Sequence, residues 1–173
     1  MKISNNFTLE ELTKSSTADR LGIDNTPNEE EVRNLEILAH FILQPIRDHW
    51  GPVKVNSGFR CIELNRAIGS KDTSQHTSGQ AADIEVVGVD NWELAFWIAE
   101  NISFDQLILE FSWSWQDYIE GNSVLDRNRG WCHVSRIAGH DQRGSILQIN
   151  KEGIVKGLGR KRTEEDEEYY SNN

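Results

Sequence analysis

Ser57-Gly-Phe-Arg60, followed by Ser74-Gln-His-Thr-Ser-Gly-Gln-Ala-Ala-Asp-Ile84, is the stretch on which the reading of this chain turns. It sets an imidazole, His76, and a carboxylate, Asp83, on either side of Gly79. Zinc accepts imidazole nitrogen and carboxylate oxygen together. Such a pair needs a third ligand, and Trp131-Cys-His133-Val-Ser135 offers one far downstream. The run 70–79 is polar and turn-rich, so His76 is expected on or beside a loop. Residues 81–87 form the best strand pattern in the chain, with Asp83 and Glu85 on one face and Ala82, Ile84 and Val86 on the other. A second strand is expected over 131–135. If His133 faces a metal there, Cys132 and Val134 face away.

Upstream, Thr8 and Glu11 fit a capping box that opens a short helix ending near 13–16. Residues 19–27 read as loop. Asn28, with Glu31 three positions on, caps a long helix whose Val32, Leu35, Leu38, Ala39, Ile42 and Ile46 recur at helical spacing. Pro45 lacks an N–H and should kink or locally disrupt that helix before Gly51-Pro52 stops it. Residues 53–56 form a short strand entering Ser57-Gly58, and 61–67 a short helix.

Downstream, 90–101 read as a helix and 105–111 as a strand. Leu107, Leu109 and Phe111 lie on one face of that strand, and Gln106, Ile108 and Glu110 on the other. Residues 112–129 form a long excursion carrying Trp113, Trp115 and Tyr118, and 145–150 one more strand. From Lys156 onward glycine and charge replace the apolar pattern. The expectation is one domain over 1–155 and a charged, poorly ordered tail over 156–173. Strands and helices in this uneven order predict an α+β domain with a mainly antiparallel sheet flanked by helices.

Composition narrows the function. The 173 residues carry a net charge of −10, from 18 basic and 28 acidic side chains. A duplex nucleic-acid partner needs a basic face that displaces counterions, so nucleic acid is not expected. Adhesion to anionic membranes is not expected either. The start, Met1-Lys-Ile-Ser-Asn-Asn, has no apolar core of a signal peptide, which predicts synthesis in the cytoplasm. Cys61 and Cys132 are expected as free thiols in a reducing compartment.

Ser57-Gly-Phe-Arg60, Ser74-Gln-His76, Gly79-Gln-Ala-Ala-Asp83 and Trp131-Cys-His133 together resemble the signatures of the zinc D-alanyl-D-alanine carboxypeptidase family. That family includes D-Ala-D-Ala dipeptidases and phage L-alanyl-D-glutamate endopeptidases. Phe7-Thr-Leu-Glu-Glu-Leu12, Ser16-Thr-Ala18 and Asn25-Thr-Pro27 look like the upstream segment of its small phage-type members. The resemblance runs from about residue 7 to about residue 137. It implies a fold shared with the Hedgehog signalling domain, one zinc ion held by His76, Asp83 and His133, and a peptidoglycan stem peptide as substrate. The bond cut would be that of a D,D-carboxypeptidase or of an endolysin-type endopeptidase, acting at the bacterial wall after release or delivery. A monomer, free or carried on a phage particle, is the expected form.

Hydrolysis also needs a general base. Many relatives place a glutamate three residues before the last histidine ligand, where this chain has Gly130. Glu110 is the best substitute, and the resemblance to phage-type members favours it. Glu85, on Asp83's face, is the weaker candidate. Arg60 matches a family arginine that contacts substrate or polarises the scissile carbonyl, a task suited to a guanidinium fork. Ser74 matches a substrate-contacting position, while Gln75 has less to recommend it. Trp113, Trp115 and Trp131 are candidates either for a peptide cleft or for the core. His40, His49 and His140 match no ligand position. The missing glutamate keeps a second reading open, a zinc-stabilised module that binds a wall peptide or protein without cutting it.

Overall fold

The computed structural model describes residues 1–122, 126, 129–151 and 153–166. Its centre is a six-stranded sheet in the order β1-β2-β4-β3-β5-β6. The strands are β1 (Val53–Ser57), β2 (Ala81–Val86), β3 (Gln106–Glu110), β4 (Trp131–Ser135), β5 (Ser145–Asn150) and β6 (Gly153–Lys156). Every pairing is antiparallel except β3 with β5. The fold is therefore the expected α+β arrangement. β6 was not legible, because its Gly-Ile-Val-Lys has no alternation long enough to register.

Register decides what each face carries. Asp83 lies opposite His133, His133 opposite Ile108, and Trp131 opposite Glu110. Side chains alternate along a strand. Asp83, His133 and Glu110 therefore project from the same face of three adjacent strands. Ala82, Ile84, Cys132, Val134, Leu107 and Leu109 occupy the other face and join one hydrophobic core. That core also takes Leu35, Leu38, Ile42, Trp92, Leu94 and Ile98 from the helices. Full burial of each such side chain contributes about 1.5–3 kcal/mol before entropic costs.

The N-terminal half supplies the scaffold. Helix α1 (Leu9–Thr13) opens with the Thr8–Glu11 capping box. Helix α2 (Ser16–Leu21), capped by Ser15 and ended by Gly22, was not expected, since its Ser-Ser-Thr start reads equally as loop. Helix α3 (Glu29–Leu38) starts at the Asn28–Glu31 capping box. It runs into a π-helical turn over Ala39–Leu43 and on into α4 (Gln44–Trp50). Here the Gln44 N–H reaches the Ala39 carbonyl, five residues back. Pro45 explains the wider turn, because it cannot donate and its ring would strike the carbonyl four residues before it. The disruption is local and the helix continues.

Short helices α5 (Ile62–Ala67) and α7 (Trp115–Ile119) and the longer α6 (Asn91–Asn101) complete the fold. None of the helices among the described residues is long and apolar enough to cross a membrane. Residues 157–166 pack on the domain. Leu158 is buried, the Arg160 carbonyl accepts from Trp115 Nε1, and the Arg162 N–H donates to Tyr118 Oη. One apolar side chain and two aromatic partners anchor this segment, which its own composition does not reveal. Residues 167–173 lie outside the described residues.

Candidate metal centre

Each ligand candidate is held by a different element. His76 sits in a 3₁₀ turn, Gln75–Ser78, between β1 and β2. Asp83 is in the middle of β2, and His133 lies across from it on β4. All three are buried. His76 Nε2 is 3.2 Å from Asp83 Oδ1 and 3.1 Å from His133 Nδ1, and His133 Nδ1 is 2.9 Å from Asp83 Oδ1. A zinc ion about 2.0–2.1 Å from each ligand atom would set tetrahedral neighbours about 3.3 Å apart. The triangle of donor atoms is close to that size.

Protonation strengthens the fit. His76 Nδ1 is 2.7 Å from the Gly58 carbonyl, which only accepts, so Nδ1 carries the hydrogen. Nε2 is then the lone-pair nitrogen aimed at the cluster. Burial lowers the pKa of His76, against the raising pull of Asp83, and keeps the ring neutral. Burial acts on Asp83 in the opposite sense, but the histidines beside it, His133 foremost, outweigh it and hold the carboxyl below its usual range. Even with a proton on His133 Nδ1, His76 Nε2 and Asp83 Oδ1 face one another with no hydrogen between them. A cation among the three donors removes that repulsion.

The loop before His76 is shaped by close contact. A Cβ on Gly58 would meet the Leu12 carbonyl at 2.2 Å, so only glycine lets α1 approach. Leu12 O also accepts from the Phe59 N–H at 2.7 Å. Asn25 braces the same loop. Its Nδ2 donates to the Thr13 and Phe59 carbonyls, and its Oδ1 accepts from the Cys61 N–H. The upstream segment is thus part of the site's foundation. The role of Asn25 was missed because Asn25-Thr-Pro27 reads simply as a turn.

Arg60 stands beside Asp83. Its Nη1 donates to Ser57 Oγ at 2.8 Å and is 3.6 Å from Asp83 Oδ2. Asp83 therefore offers one oxygen to the histidines and the other to the guanidinium. Arg60 Nε is buried without a hydrogen-bond partner among the described residues.

Glu110 ends β3 on the ligand face. Burial raises its pKa, the Asp83 charge raises it further, and His133 and Arg60 oppose that shift. Glu85 is engaged elsewhere, with Asn56 Nδ2 donating to its Oε1 and Lys54 3.4 Å away. Ser74 directly precedes the His76 turn, where its carbonyl accepts from Thr77 Oγ1.

Gly130 occupies the position, three residues before His133, at which the resemblance led to the expectation of a glutamate. Its φ is +74°, and an added Cβ would stand 2.1 Å from the Glu110 carbonyl. No side chain fits there.

The peptidase M15 family model matches residues 5–115. The chain belongs to the peptidase M15 family. A comparison with curated proteins finds no match. The family match includes Arg60, His76, Asp83 and Glu110 and stops short of His133. Pairing of β4 with β2 is what brings that third donor to the other two. Peptidase M15 membership carries zinc metallopeptidase chemistry and a peptide substrate, and the His76–Asp83–His133 group is one that such an ion fits.

Of the remaining candidates of this M15 chain, Trp131 lies opposite Glu110 on the ligand face, and the others fall away from the site. Cys132 is buried on the core face, where burial pushes its thiol pKa up. Cys61 caps α5, and both cysteines are free. His49 stacks on Trp97 with ring centroids 4.5 Å apart. Trp113 Nε1 donates to the Asp126 carbonyl and its ring lies under Arg129. Trp131 packs against Phe111 at the end of the strand bearing Glu110.

Proposed function

We propose that the protein is a zinc-dependent peptidase that hydrolyses an amide bond in the stem peptides of bacterial peptidoglycan. The observation that carries this reading is the triangle of His76 Nε2, Asp83 Oδ1 and His133 Nδ1, with Glu110 on the same sheet face. Zinc held by His76, Asp83 and His133 would supply Lewis-acid chemistry and would activate water for attack near neutral pH.

The chain's own side chains supply the rest. Glu110 takes the proton from the attacking water and returns it to the departing amine, in the role of general base and then acid. In the metal-free protein, burial and the Asp83 charge raise its pKa. Arg60 fixes the carboxylate of Asp83 and presents guanidinium charge to the oxygen on which negative charge develops. Ser74, at the start of the ligand turn, contacts the peptide. On this reading a monomer acts at the bacterial wall after release or delivery, in an endolysin-type or particle-borne role.

Digestion of defined muropeptides, followed by mass analysis, tests the proposal and identifies the bond. Two fragments whose masses sum to substrate plus one water, lost on chelation and restored by zinc, are expected. Intact muropeptides in the presence of stoichiometric zinc would instead favour the non-catalytic binding module.

A further inference from the structure

The His76 turn has only four residues, too few to hold a ligand in place unaided. Its neighbours hold it from three sides. The Gly58 carbonyl takes the His76 Nδ1 hydrogen, and Asn34 Nδ2 of α3 donates to the Ser78 carbonyl. The third support is a side chain adjacent to the ligand itself. Gln75 Nε2 donates to Asp105 Oδ2 at 2.8 Å.

Asp105 is completely buried at the head of β3. Its Oδ1 accepts from Arg143 Nε at 2.9 Å and its Oδ2 from Arg143 Nη2 at 2.6 Å. Its backbone is fixed as well, since the Asp105 N–H donates to the Ser135 carbonyl and the Ser145 N–H to the Asp105 carbonyl. Ser135 lies two residues beyond His133 on the same strand. A continuous path thus runs from the turn bearing the first ligand, through Gln75 and Asp105, to the strand bearing the last.

We propose that Gln75 and Asp105 are positioning residues that set His76 against His133 for metal binding. The proposal rests on the metal reading above. Neither side chain is among the three metal-donor candidates, and neither has a catalytic part. An uncharged amide suits the task, because it donates to the carboxylate without adding charge beside the ligands. Partners that orient a ligating histidine typically change metal affinity about 10–100-fold when removed.

Three variants separate positioning from simple stability. Gln75→Ala removes the donor, and Gln75→Glu replaces it with an acceptor of the same size. Arg143→Ala removes the guanidinium that covers Asp105 and leaves the Gln75 contact intact. Zinc affinity is measured by competition with a chromophoric chelator, and site geometry by the visible absorption of the cobalt-substituted protein. Thermal unfolding is followed in parallel. Both Gln75 variants should bind zinc about tenfold or more weakly than the parent and show an altered cobalt spectrum. Arg143→Ala should lose thermal stability while keeping the parent's zinc affinity and spectrum. Parental zinc affinity and cobalt spectrum in both Gln75 variants would overturn the proposal. Failure of the parent protein to take up zinc would sink the metal reading itself, and this proposal with it.

Discussion

Gly130 lies so close to Glu110 that a Cβ on the glycine would stand 2.1 Å from the glutamate's carbonyl oxygen. The contact links two facts about the site. The position three residues before His133, where a glutamate was expected, is sterically closed, and the neighbouring strand ends in a half-buried glutamate on the ligand face. The closed position at Gly130 and the acid at Glu110 belong to one local arrangement.

Restoring the missing glutamate should therefore harm the protein. Gly130→Glu forces a left-handed backbone on a residue with a side chain, at about 1–3 kcal/mol, and adds the clash with Glu110. Gly130→Ala should already lower the unfolding free energy by more than about 2 kcal/mol in chemical denaturation. Wild-type stability and enhanced hydrolysis in Gly130→Glu would show that the β3–β4 junction is wrongly described.

Glu110→Gln should keep zinc and lose hydrolysis. General-base removal typically costs about 10²–10⁴ in rate. Metal content and muropeptide turnover, measured on the same preparation, check this. A loss smaller than about tenfold would remove Glu110 from the mechanism.

The same glutamate has a signature in the metal-free protein. Its folded pKa is raised, so its contribution to stability is present below the ordinary glutamate value of about 4.3. That contribution is lost as pH rises through the higher folded pKa. Ionised Glu110 thus costs stability at neutral pH. Metal-free Glu110→Gln should melt above the metal-free parent at pH 7, and the gap should close on acidification. Equal melting temperatures at pH 7 would count against a buried, perturbed carboxyl.

Zinc should stabilise the fold, because its ligands come from one turn and two strands. At a free zinc concentration of 100 times Kd, binding contributes about 2.7 kcal/mol. For a chain of this size that corresponds to a rise in melting temperature of about 5–11 °C. Asp83→Ala should abolish the rise, and an equal rise in that variant would place the ion elsewhere.

Arg60→Lys tests the guanidinium. Lysine keeps the charge but loses the planar guanidinium whose Nη1 faces both Ser57 and Asp83. Turnover should fall at least about tenfold, with zinc still bound. Parental turnover in Arg60→Lys would reduce Arg60 to a point charge.

Much of this was legible in the sequence, for identifiable reasons. Asp83 and His133 sit in strands whose alternation assigns them to a face, and the capping boxes at Thr8 and Asn28 mark helix starts by chemistry local to a few residues. Cys132 and Val134 could be turned toward the core by the same alternation. What escaped depends on contacts between distant segments. Asp105 reads as an ordinary strand-leading acid until Gln75 and Arg143 meet it. Gly130 reads as a missing glutamate until the Glu110 carbonyl is seen beside it. Leu158 looks like part of a charged tail until it is placed in the core. None of these pairings has a period or a spacing from which it could be read.

Zinc-edge X-ray absorption on the metal-loaded protein, with the zinc content measured alongside, addresses the centre directly. One zinc per chain is expected, with nitrogen and oxygen scatterers at about 2.0–2.1 Å and an imidazole pattern fitted by two rings. A sulfur shell at about 2.3 Å, or zinc well below one per chain, would contradict coordination by His76, Asp83 and His133.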